Sequence, residues 1–442
     1  MAKVYTDKNV LDATLERLEY IFNEFDNVLV AFSGGKDSGI LFNLTYDYAK
    51  KHNMLNKLAV YFEDYEGGYQ YTVDFVKRTF DKYTDIKRYW LCLPIRAACS
   101  VSMHQSYWIP WNKDEEEIWI REYPKGDYVI TEDNCPFKFE KGTSGFETRI
   151  IFSKWYASQN GKTAVFVGLR ADESLSRLSA ITSKHRSKMY KEKRYSKKVN
   201  EDTFNFYPIY DWTTEDVWVA NYKYAFDYNK LYDLYYQAGL SISQMRTASP
   251  FHQCGQNSLK LYKVIEPKTW GKMVSRVNGV NFTGLYGGTT AMGWKNIKKP
   301  SHFTWKQYAE FLIETLPKDA KARMLYNLDR IQWTWKNKGY GRNPRVIATM
   351  EKEGIILEKT GETSKICTKD DVYEIVKMKS DMPDDTSIPD FRHCPNWKGV
   401  CITILKNDFT CQYMGCSRTK TDMLKRKSAI NKYKNIMRGR DA

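Results

Sequence analysis

Long apolar runs are missing from this chain. Stretches such as Val28 to Phe32 and Leu58 to Phe62 stop after a few residues, well short of the roughly 20 that a membrane-spanning helix needs, which argues against an integral membrane protein. Cysteine is also scarce: nine in 442 residues, widely scattered, do not make a disulfide framework and are expected to be thiols or metal ligands in a reducing compartment. The opening residues, Met1-Ala-Lys-Val-Tyr-Thr-Asp7, lack a basic segment followed by an apolar core. Neither a secretory signal nor a transit peptide is read there, and a cytoplasmic location is the expectation. Internal repeats and low-complexity linkers are not visible either. Negative charge is in short supply, with 53 Asp and Glu against 69 Lys and Arg and a net charge of +16. A surplus of that sign favours anionic substrates or polyanionic partners.

The composition that remains is globular, with 42% apolar residues and charges of both signs, and the length has room for about two or three domains. Strands are expected at Val28 to Phe32, Leu58 to Phe62, Lys87 to Leu91 and Ala164 to Gly168. Between the first two, Ile40, Leu41, Leu44, Tyr48 and Ala49 share one helical face, and Tyr71 to Tyr83 repeats the pattern after the second. Strands alternating with amphipathic helices predict an α/β fold, a doubly wound and mostly parallel sheet. A Trp- and acid-rich stretch at 94–145 interrupts the rhythm and reads as an insertion. From about Met245 the βα rhythm gives way to helical segments and a Gly-rich loop at 284–293. The expected division is therefore a nucleotide-binding domain at 1–245 and a mostly helical carboxyl-terminal domain at 246–442.

The most informative segment is Val28-Leu-Val-Ala-Phe-Ser33-Gly34-Gly35-Lys36-Asp37-Ser38-Gly39, a buried strand running through two glycines into a helix. Glycines let the backbone approach an anion closely, and a helix amino terminus directs unpaired N–H groups and its positive end at it. Ser33, Lys36 and Ser38 add donors. Asp37 has no business against a bare phosphate, and Mg²⁺ binding or helix capping would explain it. The spacing is neither the Walker loop nor the Gly-x-Gly-x-x-Gly fingerprint.

Ser-Gly-Gly-Lys-Asp-Ser after a first strand resembles the PP-loop of the ATP pyrophosphatase and phosphoadenosine phosphosulfate (PAPS) reductase superfamily. Phe62-Glu63-Asp64 closes the second strand, and there the resemblance places Asp64 near the nucleotide. The segment Gly168-Leu-Arg170-Ala-Asp-Glu173-Ser174-Leu-Ser-Arg177 looks like that of the PAPS reductase-like branch. It implies that Gly168, Glu173 and Ser174 lie at the nucleotide and that Arg170 and Arg177 hold a phosphate or sulfate bidentately, as lysine would not. Pro208-Ile-Tyr-Asp-Trp212-Thr213-Thr-Glu-Asp216-Val217-Trp218 is a further likeness with a structural reading: Thr213 caps a helix whose third residue is Asp216, while Trp212, Val217 and Trp218 pack it down. The remainder, from Arg246 to Asp408, is similar to the carboxyl-terminal extension of IbrA-like proteins of bacteria and phages, often paired with a ParB-like partner.

The sequence departs from the reductases at its end. The Glu-Cys-Gly-x-His segment whose cysteine attacks sulfur in those enzymes is not found. Cys254, in His252-Gln-Cys254-Gly255, is the one cysteine with a nearby His and a following Gly and is the candidate replacement nucleophile beside Lys36 and Asp37. Cys394, Cys401, Cys411 and Cys416, spaced C-x₆-C-x₉-C-x₄-C, are candidate zinc ligands. Segment 184–198 holds eight Lys or Arg against one Glu, and segment 418–440 nine against one Asp. Both suit a DNA or RNA backbone. The resemblance implies an enzyme that binds PAPS, APS or ATP, the last with Mg²⁺, and carries out sulfur transfer or adenylylation. A non-catalytic nucleotide sensor or DNA-associated regulator, acting with a ParB-like protein, is the alternative.

Overall fold

A computed structural model describes residues 7–415 apart from 103–104, 106, 175–176, 179–180, 182–188, 243, 253–254, 287–296, 365–366, 368–371, 409–410 and 412. Its two compact units are interleaved along the chain. The first is drawn from Met1–Ala97, Ile109–Ser249 and Leu261–Met273, and the second from Ala98–Trp108, Pro250–Lys260 and Val274–Ala442. Among the described residues no helix is long and apolar enough to cross a membrane.

In the first unit, helix α1 (Val10–Glu24) leads into strand β1 (Asn27–Ala31), whose run of apolar residues is what a strand covered on both faces requires. There follow α2 (Lys36–Lys51), β2 (Leu58–Glu63), α3 (Gln70–Lys82) and β3 (Lys87–Leu91). Next come β4 (Val129–Ile130), α4 (Gly145–Asn160) and β5 (Thr163–Val167). The unit continues with β6 (Ser196–Lys198), β7 (Thr203–Phe206), α5 (Thr214–Lys223) and α6 (Leu231–Gln237). The strands form one sheet in the order β4-β3-β2-β1-β5-β7-β6. Neighbours pair in parallel except β6, which runs antiparallel to β7 at the edge.

Alternation along the strands divides the core. Val28, Val30, Leu58 and Val60 pack with Leu18 and Phe22 of α1, Ile40 and Leu44 of α2, and Val76 and Phe80 of α3. Leu29, Ala59, Tyr61, Leu91 and Val165 face the other way, against Phe152 and Tyr156 of α4. The sheet is therefore doubly wound. Successive strands run outward from β1 in one direction through β2 and β3, and in the other through β5 and β7. The carboxyl ends of β1 and β5 thus flank the topological switch point, where open α/β sheets bind their ligands.

The interrupting stretch is more than a cover for the sheet: Val129 and Ile130 pair with Trp90 and Leu91 and extend it. Glu66 pins that stretch. Its carboxylate accepts the backbone N–H groups of Trp111 at 2.7 Å and Ile120 at 3.0 Å. Trp111, Trp119 and Tyr123 then pack ring against ring.

The second unit is largely helical, with Trp305–Glu314, Lys318–Asn337, Pro344–Lys352 and Trp397–Leu405 as its main helices. It also contains a small antiparallel sheet, with Glu374–Met378 between Tyr340–Arg342 and Leu357–Thr363. Its core gathers Met324, Leu328, Trp335, Ile347, Val376 and Phe391 around three buried thiols, Cys394, Cys401 and Cys411.

Candidate functional site

Strand β1 ends at Ala31, and the chain turns through Ser33 and Gly34 into α2. Gly34 has φ +69°, and a Cβ there would lie 2.7 Å from Thr72 Cγ2, so only glycine makes this turn freely. Gly35 occupies the cap position of α2 and supplies no side chain to it. The Ser33 N–H donates to Ser38 Oγ at 3.1 Å, and the two serine hydroxyls are 2.9 Å apart. Two residues on the approach to α6 and on α6 itself hold the loop from behind. Asn229 donates to the Gly34 carbonyl and to Thr72 Oγ1, both at 2.9 Å, and the Lys36 N–H donates to the Tyr232 hydroxyl at 3.0 Å. Sequence reasoning missed both, since they lie about 195 residues away from the loop and carry no motif.

Lys36 is 6% exposed. Its ammonium lies 3.5 Å from Asp37 and 3.5 Å from the Met245 carbonyl, and 5.6 Å from the centre of the Tyr232 ring. Burial is the largest influence on it and holds it below the ordinary lysine range; Asp37 acts in the opposite sense, and Arg170 lowers it further. This is a cation held in poor solvent at a helix amino terminus.

Arg170 departs from the expectation of a ligand-holding guanidinium. It is 1% exposed and fully engaged, donating to Asp37 at 2.7 Å, Thr214 Oγ1 at 3.0 Å and the Trp212 carbonyl at 3.4 Å. It ties the loop to the segment that caps α5. Asp37 is thereby explained as the partner of Arg170, an option the sequence reading did not weigh. Gly168 is the companion feature at the end of β5: a Cβ there would lie 2.9 Å from the Ser38 nitrogen, so the two chain segments meet backbone to backbone. Beyond it, Glu173 pairs with Arg177 at 2.7 Å, and Ser174 Oγ accepts the Arg177 N–H at 3.3 Å.

Asp64 also turns inward. Its carboxylate accepts Trp90 Nε1 and the Glu66 N–H, at 2.7 and 2.9 Å, and meets Arg121 in a close ion pair, leaving it 2% exposed. Arg121, which sequence reasoning also missed, lies over Trp111 with its guanidinium carbon 5.0 Å from the ring centre. Between Asp64 and the loop is a cavity of about 160 Å³, lined among others by Ser33, Phe62, Tyr65, Tyr69, Arg121 and Ser249. Its walls combine aromatic rings with a few polar groups, and Ser33 brings the loop to its edge.

Other expected residues fall elsewhere. Cys254, Cys416 and the segment 418–440 lie outside the described residues. Cys394, Cys401 and Cys411 do not converge as ligands: their sulfurs approach the Pro395 carbonyl, the Trp305 carbonyl and Met324 Sδ respectively. Among the described residues no three His, Cys, Asp or Glu gather to hold a metal. Apolar burial pushes the Cys394 and Cys401 thiols up to about 12. These three thiols are core residues, and the described residues lend the zinc reading no support. Of the basic segment 184–198, the described part folds onto the sheet edge, with Tyr190 in the core and Lys191 paired to Glu24 at 2.6 Å.

Residues 27–239 match the family described as the phosphoadenosine phosphosulfate reductase domain, and residues 239–425 match a domain of unknown function, DUF3440. The uncharacterized protein YbdN of Escherichia coli K12 is 31% identical over 424 residues, covering 95% of this chain and 93% of its own. Among solved structures, PAPS reductase from Candida auris in its phosphate complex superposes loosely, with TM-score 0.27 and 16% identity over 53% of this chain and 94% of that one. FMN adenylyltransferase from Candida glabrata, with FMN and an ATP analogue, gives TM-score 0.31 and 13% identity over 52% of this chain. There the match spans 64% of the adenylyltransferase, less than two thirds of its length. On the near full-length match and the two domain matches that meet at residue 239, this chain belongs to the PAPS reductase-like family, in the branch that carries a carboxyl-terminal extension.

Proposed function

We propose that this chain is an enzyme that binds an adenine nucleotide, with the 33–38 loop at its phosphates, and acts at the phosphate-bearing end by sulfur transfer or adenylylation. The match to the PAPS reductase domain supports adenine-nucleotide binding in general. The observation that carries the reading here is the conjunction at the start of α2. A 16-residue helix with no side-chain cap, two facing serine hydroxyls and a buried ammonium meet in one loop, and Ser33 of that loop lines a cavity. Such a set stabilises negative charge on phosphate oxygens as it builds up during displacement, because the donors are fixed and poorly solvated beforehand.

With ATP, an acceptor oxygen would attack the α-phosphorus and pyrophosphate would leave with the bridging electrons; with PAPS, a thiol would attack sulfur and the adenosine bisphosphate would leave. Lys36 is the residue proposed to neutralise the developing charge in either case. Arg170 and Asp37 are positioning residues that keep the loop in register. Calorimetry with ATP, APS and PAPS, with and without Mg²⁺, tests the reading. One of the three should bind to the wild type, and Lys36→Ala should weaken it at least about tenfold. Mg²⁺-dependent ATP binding would favour adenylylation, and PAPS binding indifferent to Mg²⁺ would favour sulfur transfer. Failure of all three to bind would overturn the proposal.

A further inference from the structure

Residues 245–249, Met-Arg-Thr-Ala-Ser, belong by sequence to the domain of unknown function, whose match begins at 239. In space they belong to the first unit. They run as a strap across the loop at the start of α2. The Met245 carbonyl accepts from the Lys36 ammonium at 3.5 Å. Arg246 donates to the Glu173 carbonyl at 2.8 Å, with its guanidinium 3.9 Å from the Glu173 carboxylate, and so fastens the strap to the turn after β5. A Cβ on Gly35 would lie only 2.7 Å from Thr247 Oγ1, which puts that hydroxyl beside the loop, where it also hydrogen-bonds Tyr232. Thr247, Ala248 and Ser249 then line the same cavity as Ser33, Tyr69 and Arg121.

One atom of the strap stands out. Ser249 Oγ is buried and has no hydrogen-bond partner among the described residues. A buried hydroxyl left without a partner is costly, and each such group calls for a specific reason. Here the residue that carries it lines the cavity beside the loop.

We infer that residues 247–249 form the second wall of the nucleotide site, with the hydroxyls of Thr247 and Ser249 donating to oxygen atoms of the bound nucleotide. Thr247 reaches the phosphates above Gly35, and Ser249 reaches the nucleoside end inside the cavity. The domain of unknown function thereby contributes specificity-determining residues to the site of the reductase-like domain, which is incomplete when cut at residue 239. The inference rests on the nucleotide-site reading proposed above, and its test separates the two.

The test uses the full-length chain. Wild type, Lys36→Ala, Ser249→Ala, Ser249→Thr and Thr247→Val are titrated with ATP, APS and PAPS by calorimetry, and their thermal midpoints are recorded alongside. Ser249→Ala should weaken the tightest of the three nucleotides by about 3- to 10-fold, the worth of one hydrogen bond. Its thermal midpoint should stay unchanged, because no bond within the protein is lost. Ser249→Thr should retain affinity, and Thr247→Val should lose a similar factor. If Ser249→Ala and Thr247→Val both bind within twofold of wild type while Lys36→Ala loses binding, the inferred wall is wrong and the nucleotide site stands. If Ser249→Ala lowers the thermal midpoint with unchanged affinity, Ser249 is structural and the inference fails. Absence of binding to the wild type removes both.

Discussion

Replacing Arg170 by methionine distinguishes a residue that holds the loop together from one that holds the ligand. Methionine keeps most of the apolar stem but none of the donors, so Asp37, Thr214 and the Trp212 carbonyl all lose their partner at once. Among the described residues, Lys36 at 3.5 Å is then left facing the Asp37 carboxylate. Removing one member of a buried ion pair costs about 3–5 kcal/mol. The Arg170 side chain is 2% exposed but Asp37 is 15% exposed, which points to the lower end, about 3 kcal/mol. With a urea dependence of about 3 kcal/mol per molar, that is a shift of roughly 1 M in the unfolding midpoint of the first unit. Intrinsic fluorescence follows the transition, with Trp212, 1% exposed and joined to Arg170 through its carbonyl, as one contributor among 13 tryptophans. Asp37→Asn should lose somewhat less, because the amide oxygen still accepts. The double variant should fall short of the sum, since both changes break one interaction. A midpoint shift below about 0.3 M, together with a hundredfold loss of nucleotide affinity, would refute this reasoning and return Arg170 to the role of a ligand contact.

Two further outcomes follow from the same geometry. Because burial holds Lys36 below the ordinary lysine range and phosphate binding favours its charged form, affinity should be highest on the acid side. It should fall as pH rises through a midpoint lower than that of an exposed lysine; Lys36→Arg should abolish the fall, and a flat profile between about pH 7 and 10 would contradict it. Glu66→Ala removes a fully buried carboxylate that accepts the N–H groups of Trp111 and Ile120. Hydrogen bonds to a charged group are worth about 1.5–3 kcal/mol each, so tryptic cleavage at Lys113 and Arg121 should accelerate at least tenfold, and unchanged cleavage would count against the anchor.

Much of the first unit was legible because its signals are local. The apolar runs at 28–32, 58–62, 87–91 and 164–168 became β1, β2, β3 and β5 to within a residue or so at either end. Thr213 and Asp216 form the reciprocal cap at the start of α5 that their spacing predicts. The small antiparallel sheet of the second unit was not anticipated. Its strands are short, and the outer segment Leu357–Thr363 has no buried residue and no clean alternation.

What the sequence by itself determined, then, is the strand, two glycines and helix of residues 28–39, because backbone conformation, helix polarity and close approach to an anion are decided within a dozen neighbouring residues. Only the tertiary structure decided what each charged residue faces. Arg170 meets Asp37 across 133 positions of chain, Asp64 is spent on Trp90 and Arg121, and Ser249 reaches the same cavity as Ser33 from the far side of the domain match. A charge keeps its chemistry wherever it stands, but its partner and its burial are set by segments that the fold brings together, and no spacing in the chain records them.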